Sequence, residues 1–68
     1  MQVKLVSGRC NPPLTRTIEC DTMRYFDAKH KVTMYDRKGN VIAWAIIDEW
    51  LAVSYIDNLG NEHFIKRG

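Results

Sequence analysis

Apolar positions crowd the middle of the chain. The stretch VIAWAIIDEWLAVSYI at 41–56 is broken only by Asp48, Glu49 and Ser54. In a strand, successive side chains point to opposite faces. Val41, Ala43, Ala45 and Ile47 therefore line one face, and Ile42, Trp44 and Ile46 the other. Both faces are apolar, whereas a small antiparallel sheet commonly leaves one face to water. The second face calls for a cover: another layer of this chain, a second copy, or a different protein.

Turn chemistry divides the rest of the pattern. Asp36-Arg37-Lys38-Gly39-Asn40 and Asp57-Asn58-Leu59-Gly60-Asn61 share the form D-x-x-G-N, each between β-branched or aromatic residues. An Asp carboxylate accepts nearby backbone N–H groups at the start of such a turn, and Gly takes the left-handed position that follows. The spacing predicts two hairpins, 30–36 with 41–47 and 50–56 with 62–66. Val3 and Leu5 alternate with polar residues and predict a first strand near 2–7. Residues 8–13 read as a loop, because Asn11-Pro12-Pro13 is extended and its prolines have no N–H for a ladder. Residues 15–26 read as one long second strand. Ile18 and Cys20 share a face while Met23 and Tyr25 fall on the other, so a bulge or bend is expected near Asp21-Thr22.

The rival for the C-terminal third is a helix over 49–59, with Asp48 as its N-cap and Gly60 just past its end. Against it, Glu49, Ser54, Asp57 and Asn58 scatter around the helical wheel, and Trp, Val, Tyr and Ile favour strands. Asp48-Glu49 then marks a corner where the chain passes from one sheet to another. The expected fold is a single all-β domain over 1–68, with five or six antiparallel strands in a meander. It would roll into a partly open barrel, SH3-like or related; the likeness rests on strand count and size, not on signature residues. The alternative is α+β with the helix near 49–59.

Length and composition narrow the function. A 68-residue chain is one domain that buries roughly 60% of its unfolded surface, so it often gains from a staple, a metal or an oligomer interface. An apolar fraction of 46% argues against disorder. A net charge of +2 with mixed signs is unlike a dedicated nucleic-acid arm. The first residues hold no long apolar signal region, and 41–56 is too short to cross a bilayer and carries two acids at its centre. The expectation is a soluble cytoplasmic protein with no membrane partner, in which Cys10 and Cys20 are free thiols rather than a bridge.

Little in the chain points to catalysis or a cofactor. Cys10, Cys20, His30 and His63 are ligand types for zinc, but their spacing is not that of a knuckle; Cys20 reads as a small core residue, Cys10 as a loop thiol, and both histidines lie near turns. Asp48 and Glu49 are adjacent and face opposite ways when extended. Asp36 and Asp57 are engaged in turns, and 57–62 lacks the alternating oxygen ligands of a calcium loop. Ser7 and Ser54 have no activating motif, and the glycines stand alone rather than in a phosphate loop. Neither an enzyme nor a cofactor is expected.

Binding remains. The expected function is a protein–protein interaction module, a small accessory or inhibitor protein, with a homodimer as the expected assembly. Ile42, Trp44, Ile46 and Trp50 are the expected interface, with Tyr55 in support, since aromatic anchors carry much of an interface's energy. The alternative is a small barrel that binds single-stranded nucleic acid through Arg24, Tyr25, Lys29, Lys31 and Tyr35, stacking bases beside cations.

Overall fold

The computed structural model describes residues 1–9 and 11–67. Among them the chain forms seven strands: β1 (Gln2–Ser7), β2 (Leu14–Glu19), β3 (Thr22–Phe26), β4 (Lys31–Tyr35), β5 (Val41–Ile46), β6 (Ala52–Ile56) and β7 (Glu62–Lys66). They make two antiparallel sheets, one in the order β2-β1-β6-β7 and one in the order β3-β4-β5. Neither sheet closes on itself, so the molecule is an all-β, partly open barrel.

The two D-x-x-G-N segments build the same turn. Asp36 Oδ1 accepts the N–H groups of Lys38 and Asn40 at 2.9 Å, and Asp57 Oδ1 those of Leu59 and Asn61 at 2.9 Å. The N–H of Gly39 donates to the Asp36 carbonyl at 3.1 Å, and that of Gly60 to the Asp57 carbonyl at 3.0 Å. Both glycines sit at positive φ, +88° and +87°, where a side chain is disfavoured. The turns join β4 to β5 and β6 to β7, as the spacing predicts.

Two expectations need correction. The run 15–26 is two strands, not one, which raises the count above five or six. Its break has a direct cause: the Cys20 N–H donates to the Met1 carbonyl, and the Asp21 N–H to the Tyr35 carbonyl, both at 3.0 Å. One residue is tied to the first sheet and the next to the second. The order is also not a plain meander, because β1 returns between β2 and β6. The rival helix over 49–59 does not form, and the preferred strand does, as β6. A single 3₁₀ turn, Ile47–Glu49, closed by the Trp50 N–H on the Ile47 carbonyl at 3.1 Å, carries the chain from β5 to β6. Beyond it, β6 has a partner on each side, β1 and β7, and that ladder outweighs a possible cap at Asp48.

The core lies between the sheets. Val3 and Leu5 of β1 and Val53 of β6 meet Val32 and Met34 of β4 and Ala45 of β5, with Ile47 at the corner and Cys20 at the bend. Lys66 Nζ of β7 donates to the Trp50 carbonyl at 2.7 Å and ties the last strand to the corner. Among the described residues no helix is long and apolar enough to cross a membrane.

Candidate functional site

The face of β5 is decided by size. Ala43 and Ala45 pair with Met34 and Val32, small against large, and turn inward. Ile42, Trp44 and Ile46 therefore turn outward. Ile42 is 47% and Trp44 59% exposed, and Val41 at the strand's start is 56% exposed. The register slips between Met34 and Tyr35, so Tyr35 pairs with Val41 and Ile42 is the extra residue.

The backbone of β5 is half unused. The Ile47 N–H donates to the His30 carbonyl at 2.8 Å. By the alternation of an antiparallel ladder, Ala45 and Ala43 then bond Val32 and Met34. The N–H and C=O groups of Trp44 and Ile46 point the other way, to the open side. β5 is the last strand of its sheet, so that row has no strand beside it.

Outward from β4, the rows read Arg24, Thr33 and Trp44, then Phe26, Lys31 and Ile46. Lys31 Nζ lies over the Trp44 ring, 5.0 Å from its centroid, a favourable cation–π distance. Thr33 is buried although it faces outward, consistent with the long side chains flanking it in its row. The strand residues of this face include two cations, Arg24 and Lys31, and no carboxylate.

Beside the open edge lies a cleft of about 470 Å³. Val41 to Trp44 form one wall, Leu5 and Ile18 belong to the opposing sheet, Trp50 comes from the corner, and Arg16 lines it as its one charged residue. Leu5 and Arg16 are direct partners across the β1–β2 ladder.

The structure sorts the expected site residues. Ile42, Trp44 and Ile46 share the outer face. Trp50 does not join them; it packs partly against the core and lines the cleft. Tyr55 lies apart, stacked on His63 at 4.8 Å between ring centroids. Of the basic and aromatic set, Arg24, Lys31 and Tyr35 lie on the same outer face as Trp44. Tyr25 falls on the opposite face of β3, where its hydroxyl donates to Asp27 Oδ1 at 3.1 Å. Partial desolvation, then that hydrogen bond, push its phenol up from the usual range. Lys29 sits in the 3₁₀ turn Asp27–Lys29. Two surfaces that are separate in the sequence are thus largely one. Arg16, Leu5 and Ile18 are the residues that sequence reasoning missed, since only the fold brings β2 and β5 to one cleft.

Among the described residues the metal-ligand types do not meet. His63 Nε2 lies 2.8 Å from Asp57 Oδ2, and His30 Nδ1 lies 3.4 Å from Asp48 Oδ1, each a pair beside its own turn. Among the described residues no three His, Cys, Asp or Glu side chains converge. Cys20 is a buried core thiol whose pKa burial pushes up; Cys10 lies outside the described residues. Comparison with protein-family models, characterised proteins and solved structures finds no match to this chain.

Proposed function

We propose that this chain is a non-enzymatic, cytoplasmic protein-interaction module that docks its partner on the outer face and open edge of β5. One observation carries the reading: Val41, Ile42 and Trp44 are exposed side by side on an edge strand. A single exposed apolar residue is ordinary. Here three lie within four positions of one edge strand, one is a tryptophan, and they border a cleft of mixed polar and apolar lining whose volume is that of a ligand site. Such a module would act by occupying a partner's surface, as an accessory or inhibitor protein does.

The test is capture of the partner from cells that carry this protein, with tagged parent, Trp44→Ala and Lys38→Ala chains. Trp44→Ala is expected to lose at least about 2 kcal/mol of binding, the size of an interface hot spot. Lys38→Ala, in the exposed β4–β5 turn, is expected to bind as the parent does. Equal retention by both variants would overturn the assignment. Light scattering across a dilution series separates the homodimer from a foreign partner. A dimer abolished by Trp44→Ala would make a second copy the occupant of the face.

Single-strand nucleic-acid binding is the second reading, favoured by Arg24 and Lys31 beside Trp44. It is weaker because the Lys31 ammonium already lies over the ring on which a base would stack. Binding that falls steeply as salt rises would support it, since phosphate contacts release counterions. Apolar docking is flat or strengthens in excluded salts.

A further inference from the structure

Resting on the docking role of β5, we infer that the partner enters as an extended peptide segment. It adds a fourth strand to the open edge of β5, sets apolar side chains into the cleft, and presents a carboxylate to Arg16.

The choice of edge follows from the charges. The barrel has four edge strands, β2, β7, β3 and β5. Natural edges are guarded against pairing by charged residues. β2 carries Arg16 and Glu19, β3 carries Arg24, and β7 carries Glu62 and Lys66. β5, VIAWAI, carries none. It is the one edge strand without a charged residue among the described strands, and its Trp44 and Ile46 backbone groups face outward. An added strand satisfies those groups by main-chain hydrogen bonds and takes its specificity from pockets for alternate side chains.

The cleft supplies the pockets. A strand laid along β5 sends every second side chain toward Leu5, Ile18 and Trp50. Arg16 lines the same space and has no ion pair among the described residues. A guanidinium there favours a carboxylate, held by two parallel hydrogen bonds. The outer face adds Lys31 on the strand next to β5 and Arg24 one strand further, and no acid, so a second copy would bring cations to cations. An acidic partner is drawn to the same field. Nucleic acid fits the charge but offers no strand backbone for the open row.

The experiment uses the full chain and a display library of short random peptides as the probe. The expected enrichment is alternating apolar residues with one Asp or Glu. An enriched peptide should lose at least about tenfold in affinity when the backbone nitrogens that face β5 are methylated with side chains unchanged. Arg16→Glu should lose a similar factor, and a peptide with Lys in place of its acid should recover binding to that variant. Arg16→Gln, which removes the charge but keeps a polar side chain, controls for folding. Peptides that bind equally well when methylated would overturn strand addition while leaving β5 a docking surface. An enriched set that is neutral or basic would overturn the Arg16 contact. Failure to enrich any peptide, with capture of the whole partner still lost in Trp44→Ala, would overturn the extended-peptide mode and leave the docking role standing; failure of both would remove the docking role too. Retention of oligothymidine at low salt in place of peptide would overturn the proposal in favour of nucleic acid.

Discussion

Asp57 does two jobs with one carboxylate: Oδ1 organises the β6–β7 turn, and Oδ2 meets His63. The His63 hydrogen bond, then the N–H groups of Asn61 and Leu59, hold its carboxyl below the usual aspartate range. Asp36 shifts the same way, chiefly through the Asn40 N–H. A lowered folded value means that the charged form favours folding. That contribution is complete above the unfolded aspartate value, about pH 4, and is lost as pH falls through the folded values. The melting temperature is therefore expected to drop on acidification below about pH 4. An Asp36→Asn, Asp57→Asn double variant should melt lower at neutral pH and show a flatter acid limb by circular dichroism. An acid limb as steep as the parent's would show that other groups carry it. These two residues are legible in the sequence because Asx chemistry is local: the acceptor and its donors lie within four positions. The His63 contact needs the hairpin to be paired first, and the sequence reading gave His63 no partner.

At the scale of elements, the hairpins rest on Gly39 and Gly60. A Cβ built on either meets nothing within 4 Å, so substitution is opposed by backbone conformation and not by crowding. Gly39→Ala and Gly60→Ala are each expected to destabilise by about 1 kcal/mol, the cost of a left-handed residue with a side chain. Denaturant titration should find the two losses alike. A loss at only one would mean that the turns are not equivalent. The same turns made both hairpins readable. The run 15–26 was not fully readable, because a bend and a change of sheet look alike in a sequence. What separates them is where Cys20 and Asp21 send their N–H groups, to Met1 and to Tyr35, and both partners are remote in the chain. The corner at 47–49 was readable as a corner through Asp48 and Glu49. The helix alternative lost to the pairing of β6 with β1 and β7, which no local propensity reports. The faces of β5 were readable as faces, but which one turned inward depended on Met34 and Val32 across the ladder.

For the whole molecule, the fold separates stability from binding. Met34 is fully buried between the sheets. Met34→Ala is expected to cost about 2–5 kcal/mol, a large part of the stability of a domain this small. Trp44 is more than half exposed, so Trp44→Ala should change stability by less than about 1 kcal/mol while removing partner binding. A loss from Trp44→Ala as large as that from Met34→Ala would place Trp44 in the core and end its role as an anchor. The site itself was only half legible. Ile42, Trp44 and Ile46 stand out by alternation within one strand. Arg16, Leu5 and Ile18 do not, because β1 enters the barrel between β2 and β6 and brings them to β5 from far away in the chain.

Amide exchange in the labelled chain, free and with a saturating enriched peptide, tests the open edge of β5 most directly. In the free, dilute protein the Trp44 and Ile46 amides should exchange fast while those of Ala43 and Ala45 are protected by the ladder with β4. Bound peptide should slow Trp44 and Ile46 by at least about tenfold, with little change in β7. Protection of Trp44 and Ile46 in the dilute free chain, or exchange there that bound peptide leaves unchanged, would contradict the account.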